Sequence, residues 1–159
     1  PRVGLLSNGE EEGKGSILVK EAFKLLKNSH LNFIGNVEGK DIPAGLADVV
    51  VTDGFSGNVV IKLAEGVAAL LMEVMEEEIK KRPTAVLGAL LARDALRAVK
   101  SRLDYSEYGG APLLGVDGVV IVGHGRSNAR AIKNMVRVAR EAVEKGMLAA
   151  IKEGIAERV

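Results

Sequence analysis

Asp53, Ser56, Asn58 and Lys62, in the stretch "DGFSGNVVIK" (53–62), are side chains that can hold an anion: a cation, a neutral donor, a hydroxyl and an acid to orient them. Gly54 and Gly57 add backbone that can approach a ligand closely. The stretch follows the strand-like "ADVVV" and precedes an apolar helical run, so a helix macrodipole favours negative charge there. Asn58 and Lys62 are four apart and share a helix face. Turn chemistry is the competing reading, because Gly and Asn tolerate unusual backbone angles and Ser or Asn caps helices.

Three further stretches carry similar types. "FIGNVEGKD" (33–41) places Asn36, Glu38 and Lys40 after a strand, where they can orient a polar substrate or form a turn. "GHGRSNARA" (123–131) approximates a dinucleotide fingerprint, but its spacing is one residue too long and no following strand supplies the ribose-binding acid. What remains is Gly123 and Gly125 for close backbone approach, His124 at a strand end, and a helix start at Ser127. His124 reads equally well as a structural histidine bonded to a neighbouring carbonyl. "GEEEGKGS" (9–16) imitates a phosphate loop through Lys14, yet its glycine spacing fails and three glutamates would repel a nucleotide. It reads as a helix-start loop with Ser16 as cap. His30 lies in a polar loop and reads as surface.

The elements that must position these residues alternate along the chain. Strands are expected at 2–7, 31–37, 47–53 and 119–123. Helices are expected at 16–28 (apolar face Ile17, Leu18, Ala22, Leu25 and Leu26), 57–81, 83–103 and 127–157, with an interruption near Gly146. The β-branched third strand, without polar alternation, reads as covered on both faces. Strand, loop and helix in succession imply an α/β fold with a mainly parallel sheet and helices on both faces. Ligands then gather at the carboxyl ends of the strands, where all four stretches fall.

Composition narrows the class. The chain has 159 residues, 47% apolar and 27% charged, which is globular rather than disordered. Twenty-two basic and 21 acidic residues leave a net charge of +1, so no overall field recruits nucleic acid. Zero cysteines exclude a disulfide framework, a thiolate zinc site and a cysteine nucleophile in this chain. No run reaches the ~18 apolar residues of a spanning helix, and no signal-peptide pattern opens the chain, so a cytoplasmic location is expected. The opening "PRVGLLS", without methionine or lead-in, reads as a cut through a longer protein.

Residues 72–103 form a second region of interest. "EEEIKKR" leads to Pro83 and then to an apolar stripe of Val86, Leu87, Leu90, Leu91, Leu96, Val99 and Leu103. This reads as a helical hairpin packed internally or against a second subunit. It also reads as an interfacial membrane contact, with Lys80, Lys81 and Arg82 beside Val86, Leu87, Leu90 and Leu91.

Together "GLLSNGEEEGKG", "FIGNVEGKDI", "ADVVVTDGFSGNVVIK" and "DYSEYGGAPLLGVDGVVIVGHGRSNARAIKN" resemble the carboxyl-terminal half of the bacterial acyl-ACP:phosphate acyltransferase (PlsX) family, from Arg2 onward. Ser7-Asn8 departs from the family's more usual asparagine followed by a small apolar residue. "DGFSGNVVIK" is more distantly similar to phosphotransacetylases. The resemblance implies an isocitrate/isopropylmalate dehydrogenase-like fold with a projecting hairpin, and a glycine-rich amino-terminal half absent here, without which this half is inactive or nearly so. It implies conversion of acyl-ACP and inorganic phosphate to acyl phosphate for phospholipid synthesis, without cofactor or metal. The implied setting is a homodimer at the membrane surface that passes product to a membrane acyltransferase.

That reaction needs a held phosphate, donors for a developing oxyanion and an acid for the leaving thiolate. Lys62, Asn58, the amides after Gly54 and Gly57, and Lys14 suit phosphate. His124 suits proton transfer, since its ordinary pKa lies near neutrality. Asp53 and Glu38 orient rather than act as bases, because a carboxylate facing phosphate would repel it. The alternatives are a CoA-dependent phosphotransacetylase-like enzyme and a non-catalytic membrane-associated assembly module. A decarboxylating dehydrogenase is disfavoured, because no loop shows paired aspartates for a divalent metal.

Overall fold

In the computed structural model, residues 1–125 and 127–156 are described, and they divide into two compact units, Pro1–Gly66 and Val67–Val159. The first unit is an α/β layer. Strands β1 (Val3–Leu6), β2 (Phe33–Val37) and β3 (Val49–Val51) form a parallel sheet in the order β2-β1-β3. The register slips between Val3 opposite Phe33 and Gly4 opposite Gly35. Gly35 takes a φ of 100°, the left-handed region that glycine enters without penalty.

Helix α1 (Ile17–Lys27) packs on this sheet. Its buried stripe differs from the expected face: Phe23 is buried and Val19, Ala22 and Leu26 are half-buried, whereas Ile17, Leu18 and Leu25 are exposed. Positions i, i+3, i+4 and i+7 from Val19 make a continuous inward stripe, which the aromatic ring decides by meeting Phe33 edge-on at 5.2 Å. Val3, Leu5 and Val37 complete the core, Val37 with 1% exposure. The short helix α2 (Asp41–Ala44) ends on left-handed Gly45 and leads to β3. β3 is an edge strand with Val49 exposed, not the doubly covered strand expected.

Helix α3 (Gly54–Lys80) begins three residues before the expected start and runs from the first unit into the second. In the second unit it is followed by α4 (Pro83–Leu91) and α5 (Arg93–Leu103), with a break at Ala92 where one helix was expected. Pro83 opens α4, its missing N–H lost at a position with no intrahelical acceptor. A 3-10 turn (Tyr105–Glu107), β4 (Ala111–Pro112), β5 (Ile121–Val122), α6 (Ala129–Glu144) and α7 (Met147–Ala156) complete the described chain. The expected fourth parallel strand is instead β5, paired antiparallel with β4. The preceding segment doubles back and closes a ribbon, with the Leu113 amide donating to the Val120 carbonyl at 2.8 Å. The interruption at Gly146 is present, where φ is 65°. The last residue of the expected closing helix, Glu157, lies outside the described residues. No described helix is long and apolar enough to cross a membrane.

Candidate functional site

Because β1, β2 and β3 are parallel, the loops after Leu6, Val37 and Val51 leave one edge of the first unit's sheet. Cross-loop bonds hold them. The Ser7 amide donates to the Val37 carbonyl at 2.9 Å, and the Asn36 side-chain amide donates to the Glu11 carbonyl at 2.8 Å. Gly15, at a φ of 94°, turns the loop into α1, where an added Cβ would stand 2.5 Å from Val19. Ser16 then caps α1 through its hydroxyl, which accepts from the Val19 amide at 3.3 Å, as expected.

Asn36 therefore pins a loop as well as facing the strand end. It is 6% exposed, and its Oδ1, like the Ser7 hydroxyl, is buried without a hydrogen-bond partner among the described residues. Two such atoms at one strand edge leave acceptor and donor capacity for a polar group. The glutamates of the first loop are largely paired. Lys40 bonds Glu38 closely and Glu10 at 3.3 Å, and Lys27 bonds Glu12 at 2.8 Å. Glu38 foremost, then Glu10, holds the Lys40 ammonium well above the usual lysine range. Carboxylate oxygens of Glu10, Glu38 and Asp41 lie within 4.8 Å of one another. Lys40 supplies positive charge to two of those three groups. Sequence reasoning missed this cluster, because Glu10 and Glu38 meet only through the β1–β2 pairing.

The opening of α3 corrects the sequence reading most clearly. Asp53 is the helix cap: its carboxylate accepts from the Ser56 amide at 2.8 Å, and its carbonyl accepts from the Gly57 amide at 3.0 Å. Donors of Ser56, then the Phe55 amide, hold the Asp53 carboxyl below its usual range. The amides expected to receive an anion after Gly54 and Gly57 are thus turned toward the protein's own carboxylate and carbonyl. Gly57 is required for packing, since an added Cβ would stand 2.7 Å from the Thr52 methyl. Asn58 and Lys62 share an exposed face, and Lys62 lies more than two turns into α3. The side chains of Lys14, Asn58 and Lys62 are exposed and make no ion pair among the described residues. The topology therefore brings Lys14, Asn36, Glu38, Asp53, Gly54, Ser56 and Gly57 to one edge, and Asn58 and Lys62 follow along the helix that leaves it.

In the second unit, the turn between β5 and α6 carries Gly123, His124, Gly125 and Ser127. The His124 carbonyl accepts from both the Ser127 amide, at 3.0 Å, and the Ser127 hydroxyl, at 2.6 Å. The helix begins at Ala129, not Ser127, because Asn128 caps it, its Oδ1 accepting from the Ala131 amide at 2.9 Å. An added Cβ at Gly123 would run into the Met135 thioether, whereas Gly125 faces open space. His124 is exposed. Asn134 and Arg137 of α6 donate to the Ser106 and Glu107 carbonyls at 2.8 and 3.3 Å, and Arg130 pairs with Glu107. Left-handed Gly109 lets this turn approach within van der Waals contact of the α6 backbone.

At the foot of α3, an apolar cleft of about 360 Å3 is lined by Met72, Met75, Ile79, Val86, Leu90 and Leu96. Leu87 and Leu91 face outward, Leu91 with 84% exposure. The basic cluster is less available than its sequence implies. Lys80 pairs with Glu76 at 2.6 Å, and Lys81 and Arg82 both pair with Glu78 at 2.7 Å.

Fold and site define an α/β protein with polar loops at one edge of a parallel sheet. The chain belongs to the fatty acid synthesis protein family, whose description matches residues 1–150. It is 56% identical over 157 residues to a phosphate acyltransferase of Elusimicrobium minutum, covering 99% of this chain and 46% of that protein. It is 55% identical over 155 residues to one of Pelotomaculum thermopropionicum, covering 98% and 45%. A third, of Heliobacterium modesticaldum, is 56% identical over 159 residues, covering 100% and 48%. The chain spans about half the length of these curated relatives.

Proposed function

We propose that the chain forms the carboxyl-terminal half of a phosphate acyltransferase that converts acyl-ACP and inorganic phosphate to acyl phosphate and the free carrier in phospholipid synthesis. The observation that carries this reading is the strand-end edge of the first unit. Exposed Lys14 and the buried, unpartnered atoms of Ser7 and Asn36 gather there, in a chain 55–56% identical to proteins named for this activity. A phosphate oxygen attacks the thioester carbonyl, the C–O bond forms, the C–S bond breaks, and the departing thiolate takes up a proton. Held phosphate and preorganised donors supply the rate, so no nucleophile of the protein is required. Lys62, Asn58 and Lys14 are assigned to phosphate and His124 to proton transfer. Asp53 is assigned to holding the helix start, and Glu38 to holding Lys40.

In this reading the fold is isocitrate/isopropylmalate dehydrogenase-like, residues 72–103 form a projecting hairpin, and the whole is a cytoplasmic homodimer. It is peripherally attached to the membrane, where an acyltransferase takes the product. Exposed Leu87 and Leu91 beside an apolar cleft support a lipid-facing tip. Paired Lys80, Lys81 and Arg82 assign that attachment more to apolar insertion than to charge.

The test uses the complete protein with acyl-ACP and phosphate. Acyl phosphate and free carrier should form without added metal or nicotinamide, and Lys62→Met should raise the phosphate requirement on the order of tenfold or more while sparing that for acyl-ACP. Equal activity with acetyl-CoA would instead assign a phosphotransacetylase. Equal loss for both substrates with a lower melting temperature would make Lys62 structural.

A further inference from the structure

Glycines bracket the β4–β5 ribbon: Gly109 and Gly110 lead into it at Ala111, and Gly123 follows it at Val122. Ala111 is paired with Val122, so these glycine ends lie side by side at the base of the ribbon. One residue of α6, Met135, meets all of them. A Cβ added at Gly109 would stand 2.6 Å from the Met135 amide nitrogen, and one at Gly110 would stand 3.1 Å from its Cγ. At Gly123 an added Cβ would stand 2.3 Å from the Met135 sulfur and 2.8 Å from its terminal methyl.

The glycines are required for different reasons. Gly109 takes a left-handed φ, and a Cβ at Gly110 would also stand 2.5 Å from the Val122 carbonyl, so neither depends on Met135 alone. Gly123 is not left-handed, and after Met135 the next atom an added Cβ would meet is the Ser127 hydroxyl at 3.4 Å, an ordinary contact. The thioether is therefore what excludes a side chain at 123. The two arms of the ribbon are also held differently. Asn134 and Arg137 tie the segment before the first arm to α6 by hydrogen bonds to the Ser106 and Glu107 carbonyls. The second arm ends on His124 and meets α6 at Gly123 through an apolar contact instead. A hydrogen bond fixes a length and an angle, whereas a flexible thioether fixes a closest approach, so the place of the second arm depends on the size and shape of residue 135. On its far side the His124 carbonyl is held by the Ser127 amide and hydroxyl, and Gly125 faces open space.

We infer that Met135 is a positioning residue: its thioether sets the height of Gly123 over α6, and so the place from which the His124 imidazole works. The part of His124 in proton transfer rests on the function proposed above. Met135 acts through His124 and not by contact with substrate.

The test uses the complete protein and reads stability, kinetics and the imidazole itself. Gly123→Ala should lower the melting temperature of the parent and cost nothing in a Met135→Ala background, because the added methyl then takes the space the thioether leaves. Gly110→Ala should cost the same in both backgrounds, since the Val122 carbonyl still stands in its path. No rescue at Gly123, or equal rescue at both glycines, overturns the inference. In acyl phosphate synthesis, Met135→Ala should lower kcat about tenfold or more with the KM for phosphate little changed. It should cost nothing further once His124 is replaced by Ala. Met135→Leu, close in volume, should act in the same direction less strongly, and serves if Met135→Ala does not fold. An equal loss of kcat with and without His124 makes Met135 ordinary packing and overturns the inference. Histidine NMR separates this result from the fate of the proposed activity. The His124 resonance, assigned by its loss in His124→Ala, should move in Met135→Leu while that of His30 stays in place. That shift in a protein that makes no acyl phosphate would remove the activity and leave Met135 as the seat of His124. An unmoved His124 resonance overturns the inference even with the activity intact.

Discussion

The two units solve the problem of order differently. In the first, three parallel strands and α1 bury Val3, Leu5, Phe23 and Val37 among themselves, and that small core holds its polar loops by cross-loop bonds. In the second, the buried side chains among the described residues are Ala131 and Ser106, while Leu87, Leu91, Val136 and Val143 face outward. The first unit also leaves Ile17, Leu18, Leu25 and Phe55 outward, so the difference lies in its buried sheet core, and the outward faces of the second unit are where a second subunit and lipid are proposed to act.

The contrast can be broken most severely at glycines. Gly109 and Gly35 both take left-handed φ, 79° and 100°. An added Cβ at Gly109 would stand 2.6 Å from the backbone at Asn134 and Met135, whereas at Gly35 it meets nothing within 4 Å. Gly109→Ala should therefore cost more than about 3 kcal/mol, and Gly35→Ala only the roughly 1–2 kcal/mol of the backbone conformation. Denaturant unfolding of the complete protein checks both. Equal effects would show that the approach of the 105–109 turn to α6 does not hold the second unit together.

A smaller effect should come from the outward leucines. Each contributes at most about 1.5–3 kcal/mol if fully desolvated in lipid, and partial insertion gives less. Leu87→Glu with Leu91→Glu in the complete protein should end sedimentation with anionic vesicles while acyl phosphate synthesis in solution continues. Persistent sedimentation would place the anchor elsewhere. Loss of folding or of dimerisation would return these residues to a core or a subunit interface.

The smallest effect should lie at the cap of α3. The Asp53 carboxyl titrates below its ordinary value, so its contribution is present above the ordinary range near pH 4 and is lost as pH falls through the lowered value. Asp53→Asn keeps an acceptor for the Ser56 amide but cannot titrate. Its stability should stay near that of the parent at neutral pH and fall less on acidification, as read by melting temperature against pH. Parallel acid loss in the two proteins would remove Asp53 as the source.

Much of the first unit was legible in the sequence because its signals are local. Short apolar runs bounded by polar and glycine-rich loops marked β1, β2 and β3, Ser16 announced the start of α1, and Gly146 announced the end of α6. The polar edge followed from topology, since parallel strands must release their loops on one side. What local signals missed were competitions between near-equal options. Asp53 and Asn128 took the helix caps, so one helix starts three residues before Gly57 and the other two residues after Ser127.

The sequence by itself determined the residue types at the strand ends, the absence of cysteine chemistry and the alternation that makes an α/β fold, because these depend on composition and short-range periodicity. Tertiary structure alone decided that Lys40 lies between Glu10 and Glu38 and that Asn36 anchors the first loop. It also decided that Phe23 rather than Ile17 faces the sheet, and that β5 pairs with β4. Each of those depends on which distant segments meet, and pairings across dozens of residues leave no mark on the spacing of neighbours along the chain.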